Sequence, residues 1–323
     1  MVGAGLGGLS AAMRLAGAGR RVTVVEREAV PGGRAGVLVD GGYTFDTGPT
    51  VLTMPDLLES CFGSLGESMS SWLTLDPVLP LYRARFADGS VIDVRESVDA
   101  MAAEIASVCG PGEADGYRRW VDFVTALYRL EMGAFIDRNF DSPLSMLTPS
   151  LARLGALGGF RRLAPTVERY FGDPRLQRLF SFQAMYAGLS PHRALAIYAV
   201  ISYMDTVAGV YYPRGGMRAV PQAMAAAAAK HGVDFRFGET VTSVELRGDR
   251  AVAVVTSAGR IPCDAVVLNP DLPPARRLVG KPLRRRLRYS PSCVVLHVGS
   301  ARAADAHHTI SFGHAWREVF DEL

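Results

Sequence analysis

Lysine is almost missing from this chain of 323 residues: Lys230 and Lys281 are the only two, and arginine carries nearly all the positive charge. Arginine's planar fork suits phosphate and carboxylate, although a genome-wide codon bias explains the excess equally well. The formal net charge is only +3, so the balance does not call for nucleic acid as a partner. Cys61, Cys109, Cys263 and Cys293 form no CxxC pair and no metal-ligand spacing, which points to a reduced, cytoplasmic protein without a zinc site. His192, His231, His297, His307, His308 and His314 show no ligand pattern; an adjacent pair such as His307-His308 would point opposite ways on a strand. Neither a hydrolytic triad nor a paired-carboxylate site is visible, and Asp88, Asp122, Asp137 and Asp141 have no partner that sequence assigns. The longest apolar stretch, Ala194 to Met204, falls well short of the ~20 residues a membrane-spanning helix needs. An apolar N-terminus without a basic leader segment, and interrupted by Arg14, does not read as a signal peptide.

What is present is a globular composition, 49% hydrophobic and 21% charged, in a chain long enough for two domains. Its first 25 or so residues run from glycines to a helical stretch (Leu9 to about Ala18) and a β-branched run, Val22-Thr23-Val24-Val25, that ends at Glu26. That order is the opening of a dinucleotide-binding βαβ unit. Gly3-x-Gly5-x-x-Gly8 lets backbone approach a pyrophosphate at the helix N-terminus, where free N–H groups and the helix dipole stabilise anions. Glu26 stands at the strand end, where a carboxylate accepts hydrogen bonds from ribose hydroxyls and repels a 2′-phosphate. The loop Gly32-Gly33-Arg34 then offers a free backbone and a cation for a diphosphate. Asp46-Thr47-Gly48-Pro49 follows a short hairpin, and together these two segments favour a flavin over a nicotinamide dinucleotide.

Further along, a hairpin is expected from Leu81–Phe86 and Ser90–Val94 about the turn Ala87-Asp88-Gly89-Ser90. Ser97 to about Met204 reads as helical, with breaks at Gly110-Pro111-Gly112, Ser142-Pro143, Gly158-Gly159, Gly172-Asp173-Pro174 and Ser190-Pro191. A glycine turn, Tyr212-Pro213-Arg214-Gly215-Gly216, leads into an alanine-rich helix to Lys230. Strands follow at Val233–Phe237, Thr240–Leu246, Ala251–Ser257, Ala265–Leu268 and Cys293–Val298, with a short helix around Ala315–Glu322. The expected blocks are 1–96 and 212–290 for a cofactor domain, 97–211 for a helical domain, and 291–323 for the start of another sheet. The fold class is α/β: a Rossmann-like FAD domain, a mostly helical substrate domain and added β-strands.

The segments VGAGLGGLSAAMRLAGAGRRVTVVERE, PGGRAG and FDTGPT resemble the N-terminal region of FAD-dependent amine oxidase-like flavoproteins, and within them the carotenoid (phytoene) desaturases. Arg178-Leu179-Phe180-Ser181-Phe182-Gln183, Gly209-Val210-Tyr211-Tyr212-Pro213-Arg214-Gly215-Gly216-Met217 and Val267-Leu268-Asn269-Pro270-Asp271 resemble that branch specifically. The resemblance implies FAD as cofactor, held by Gly3, Gly5, Gly7, Gly8, Glu26, Arg27, Gly32, Gly33 and Arg34. Gly48 and Pro49 would lie close to the flavin ring, and the Val241 backbone against the adenine. It also implies an incomplete copy. The strand before the first glycine is cut to Met1-Val2, and a second glycine-rich flavin segment is missing towards the C-terminus.

The activity implied is desaturation of a carotenoid precursor such as phytoene: hydride passes from an allylic carbon to the flavin, a proton leaves the neighbouring carbon, and no catalytic side chain is assigned. The partner is then an apolar polyene; Phe180, Phe182, Tyr186, Tyr211 and Tyr212 suit the lining of its tunnel, and a packed core would use the same aromatics. Leucines mixed with Arg153, Arg161 and Arg162 between Leu144 and Pro165 form either an ordinary surface helix pair or a basic amphipathic face that rests on lipid headgroups, placing the protein in the cytoplasm or peripherally on the inner face of the membrane. Other readings are a carotenoid isomerase or ketolase, a protoporphyrinogen or amine oxidase, an inactive fragment, and, on the glycine motif alone, an NAD-dependent dehydrogenase.

Overall fold

The computed structural model describes the chain except residues 141, 284, 285, 288, 290–292, 303, 322 and 323, so Asp141 lies outside the described residues. Two compact units divide it: residues 1–76 with 211–288, and residues 77–210 with 289–323.

In the first unit, apolar residues at helical spacing shape the opening helix Leu6–Gly17, which buries Leu9, Ala12 and Met13 on one face. That face packs on the alanine-rich helix Ala219–Lys230, which buries Val220, Ala223, Met224, Ala227 and Ala228. Small side chains let the two helices approach closely. The strand Thr23–Val25 lies parallel to Asp234–Arg236, and Val2 bridges in parallel both Val25 and Leu268. Met1 to Gly3 thus form a short central rung, hydrogen-bonded to Val25 on one side and to Val267 and Asn269 on the other. Of the strand expected at 265–268, only Leu268 is paired, as an isolated bridge. An antiparallel sheet in the order Gly259–Pro262, Arg250–Thr256, Val241–Arg247 completes the unit with the hairpin Val37–Asp40/Tyr43–Asp46.

The second unit is mostly helical. Ser97 caps the helix Val98–Cys109 by accepting the Ala100 N–H. Gly110, at φ +102°, turns the chain directly into the helix Pro111–Glu131. The long helix buries Tyr117, Trp120, Phe123, Val124 and Leu127. Trp120 is wholly enclosed among Phe123, Tyr170, Phe171 and Phe180, with ring centroids 5.4 to 6.3 Å apart, and Phe171 stacks on Phe180 at 4.9 Å. Phe180 and Phe182 are therefore packed in the core, whereas Tyr186 is exposed.

A three-stranded sheet belongs to this unit: Thr309–Phe312 parallel to Tyr82–Phe86, itself paired antiparallel with Val91–Val94. The hairpin expected within a first block of 1–96 is thus part of the second unit, which begins at Pro77. A bidentate Arg83–Asp93 pair at 2.7 and 2.9 Å ties its two strands, and Glu104 accepts the Asp93 N–H, fastening the helix Val98–Cys109 to its edge. Segment 293–298, expected as a strand, is not one. Val294 and Leu296 are 90% and 81% exposed, so the apolar pattern there reflects no buried face. The final helix is Arg317–Asp321, shorter than expected, with Glu322 outside the described residues.

Trp120→Ala removes the centre of the aromatic cluster and leaves a cavity in rigid surroundings. We expect about 3–5 kcal/mol of destabilisation in urea unfolding; a loss under about 1 kcal/mol would show that the cluster does not carry the core.

Candidate functional site

The glycine loop is built by close approach. A Cβ on Gly8 would lie 2.1 Å from the Gly3 carbonyl oxygen, which backbone cannot relieve without moving. Gly3 itself has φ +95°, a conformation that suits glycine alone. The helix that follows is capped by Gly5 with no side-chain hydrogen bond and no acid in its first turn. Its leading N–H groups and dipole are therefore left for an anion.

Glu26 is buried beside this loop. One carboxylate oxygen accepts the Ala4 N–H at 2.7 Å and the other the Glu28 N–H at 3.0 Å, so the side chain is fixed by backbone donors, with acceptor capacity left on each oxygen. The segment after the strand turns back on the loop: Gly32 donates its N–H to the Ala4 carbonyl at 2.9 Å, and a Cβ on Gly33 would meet the Gly5 Cα at 3.2 Å. Gly32 and Gly33, at φ +128° and +57°, permit that path. Residues 238–241 adjoin Glu26 through the Glu239 N–H to the Glu26 carbonyl at 3.0 Å and the Gly238 N–H to the Glu28 carbonyl. Val241 opens the next strand, half-buried.

The structure thus brings Gly3, Gly5, Gly8, Glu26, Gly32 and Gly33 together, with exposed Gly7 on the loop's open side. Gly48 packs on the backbone after the loop, since a Cβ there would fall 1.9 Å from the Arg34 carbonyl oxygen, and Pro49 is exposed. Arg34 spends its guanidinium on Asp271 at 2.6 Å, and Arg27 pairs with Glu28 at the surface at 3.1 Å.

One feature the sequence does not reveal is Asp46. It accepts the Tyr212 hydroxyl at 2.5 Å and the Met217 N–H at 3.1 and 3.2 Å, joining FDTGPT to YYPRGGM across more than 160 residues. Burial, and then the Asp46 carboxylate, push the Tyr212 hydroxyl up to about 12, so it stays a donor. Both residues line a cleft of about 470 Å³ with Val37, Thr44, Gly216 and Arg218. The two motifs are each visible in sequence; their contact is not.

The chain matches the flavin containing amine oxidoreductase family over residues 6–318. It belongs to that family. It is 58% identical to a phytoene dehydrogenase of Streptomyces griseus and 35% identical to a zeta-carotene-forming phytoene desaturase of Myxococcus xanthus. In both comparisons all of this chain is aligned, and it spans 64% of the relative's length. Among solved structures, an oxidoreductase from Methanosarcina mazei shares the fold, with a TM-score of 0.56 at 19% identity over 87% of this chain and 61% of that one. The family cofactor is FAD, and the open helix N-terminus, the glycine cradle and the fixed Glu26 fit a dinucleotide of that kind. The resemblance read from the glycine loop and the PGGR and YYPRGG segments is borne out, as is the α/β fold.

The second unit holds two buried acids without a salt-bridge partner. Neither carboxyl oxygen of Asp205 has a hydrogen-bond partner among the described residues, nor does Oε1 of Gln183 or of Glu131. Burial dominates both: Asp205 is pushed well above the usual carboxylate range, with Gln183 acting weakly the other way, and Glu131 is raised to about 8. Burial thus favours the protonated form of both side chains.

Gly8→Ala should destabilise the fold by about 1–3 kcal/mol through its clash with backbone. A Cβ on Gly7 would meet only the end of the Asn269 side chain, at 2.8 Å, so Gly7→Ala should fall within about 1 kcal/mol of neutral, helped by alanine's helix propensity. Equal losses in thermal unfolding would count against this cradle. For the buried acids, a folded pKa raised above the unfolded one means that the native state holds more protons. Stability is then greatest below the unfolded value and falls as pH rises, for Glu131 through a window from about 4.5 to about 8. Glu131→Gln should flatten that slope; an unfolding midpoint that rises with pH across this window in the parent, or an unchanged slope in the variant, would refute the assignment.

Proposed function

We propose that this chain is the larger part of an FAD-dependent desaturase that introduces double bonds into a carotenoid precursor such as phytoene. The observation that carries the reading is 58% identity to a phytoene dehydrogenase along the whole chain, joined to a glycine loop, fixed acid and PGGR return that suit a dinucleotide. When bound, FAD would supply the hydride-accepting chemistry of a CH–CH dehydrogenation.

The protein's own residues have positioning to do. Gly3, Gly5, Gly7 and Gly8 would present backbone N–H groups to the diphosphate, and Glu26 would accept ribose hydroxyls while excluding a 2′-phosphate. Arg34 would counter the diphosphate charge, with Gly32 and Gly33 giving it backbone room. Gly48 and Pro49 would lie towards the flavin ring, the Val241 backbone towards the adenine, and Arg27 at the rim of the site. Asp46 holds the Tyr-Pro-Arg-Gly-Gly turn, keeping the cleft wall in place.

The polyene would be taken up by the helical unit, whose described surface carries exposed Leu144, Leu147 and Phe160 close in sequence to exposed Arg153 and Arg161. Apolar side chains flanked by arginines suit the boundary of an anionic bilayer, from which a hydrocarbon must be drawn. Among the described residues no helix is long and apolar enough to cross a membrane. A peripheral seat on the inner face of the cell membrane follows from this reading.

Purified chain should show flavin absorption bands, and a version extended to its relatives' full length should desaturate phytoene in liposomes. Bands in neither version would refute the cofactor assignment. Bands without any new conjugated product would refute the substrate.

A further inference from the structure

The segment Asn269-Pro270-Asp271 touches both the glycine loop and Arg34. The Asn269 N–H donates to the Val2 carbonyl at 3.0 Å, anchoring the segment beside the first rung of the parallel strands. Its carboxamide then lies over the loop. A Cβ on Gly7 would sit 2.8 Å from Asn269 Nδ2, and Cβ atoms on Gly5 and Gly8 would sit 3.3 and 3.2 Å from Oδ1. Two residues on, Asp271 Oδ2 accepts from the Arg34 guanidinium at 2.6 Å. Those two side chains are 68% and 86% exposed, so their pairing is weak and open to exchange.

We propose that Asn269-Pro270-Asp271 is the third wall of the diphosphate site. Asn269 donates its Nδ2 amide to a diphosphate oxygen, and Asp271 is a competing carboxylate that the diphosphate displaces from Arg34. The inference rests on the FAD reading and adds to it two residues and a sign for each. A carboxamide carries both a donor and an acceptor, so it can serve loop N–H groups before the cofactor arrives and a phosphate oxygen afterwards. Asp271 does the reverse: its charge neutralises Arg34 in the free protein and repels the incoming anion, while a bidentate arginine–phosphate contact is the stronger pairing.

The test is FAD titration into the full chain by quenching of flavin fluorescence, at low and at moderate salt. Asn269→Ala should weaken FAD about tenfold, the worth of a hydrogen bond to a charged group, and leave the unfolding midpoint of the cofactor-free protein unchanged. Asp271→Asn should tighten FAD a few-fold, an effect that vanishes in an Arg34→Ala background, as a double-mutant cycle requires of a coupled pair. Parental affinity in Asn269→Ala, or a weakening matched by a lower cofactor-free midpoint, overturns the role of Asn269. Weaker binding by Asp271→Asn, or a gain that persists without Arg34, overturns the competition. The titrations are made on the version that holds FAD, the chain itself or one extended to its relatives' full length; if neither takes up FAD while correctly folded, the cofactor reading fails first and this inference with it.

Discussion

The nucleotide end of the first unit depends on how Met1, Val2 and Gly3 are held. Val25 donates to the Met1 carbonyl and accepts from the Gly3 N–H on one side; Val2 donates to the Val267 carbonyl and accepts from the Asn269 N–H on the other. These four backbone bonds set the height of the glycine turn relative to two neighbouring segments. Glu26 follows Val25 directly, so its carboxylate reaches the Ala4 N–H only if that register holds. Asn269 follows Leu268 in the same way. One short rung therefore positions the helix N-terminus, the acid and the amide together, and a slip of one residue would turn all three away.

Asp46 plays a similar part at the cleft. A single carboxylate accepts from one hydroxyl and one backbone N–H of the same turn, so the hairpin that bears it and the glycine turn that leads into the helix Ala219–Lys230 hold a common geometry. A half-buried polar contact of this kind costs most when half of it is removed, because the remaining partner loses its hydrogen bond. It fixes position more than it adds stability.

The sequence makes legible what is local. The fingerprint glycines, the acid at the strand end, the hairpin near residues 82–94 and the alanine-rich helix each show as a period or a turn within a few residues, and each is in the structure within a residue or two. Contacts between distant segments are not legible. Arg34 reads as a free cation for a diphosphate, and its partner Asp271 lies 237 residues away. Asn269 is visible as part of a motif, but not that it lies against Gly7. Segment 293–298 fails for the opposite reason. A run of apolar residues describes side chains, whereas a strand needs a neighbour's N–H and C=O groups in register. The hairpin's membership in the second unit was equally hidden, because adjacency in sequence does not say which core a strand packs on.

The two units treat buried acids by different physics. In the first, Glu26 is surrounded by backbone donors, which makes a buried carboxylate tolerable. In the second, Asp205 and Glu131 form no ion pair among the described residues, and burying a bare charge there would cost several kcal/mol even after relaxation. Holding a proton is cheaper, at about 1.4 kcal/mol for each unit by which the pH exceeds the group's ordinary pKa. Burial therefore favours the protonated acid at both positions. The donor-lined glycine turn therefore suits an anion such as a dinucleotide's diphosphate, whereas the helical interior around Asp205 and Glu131 disfavours one.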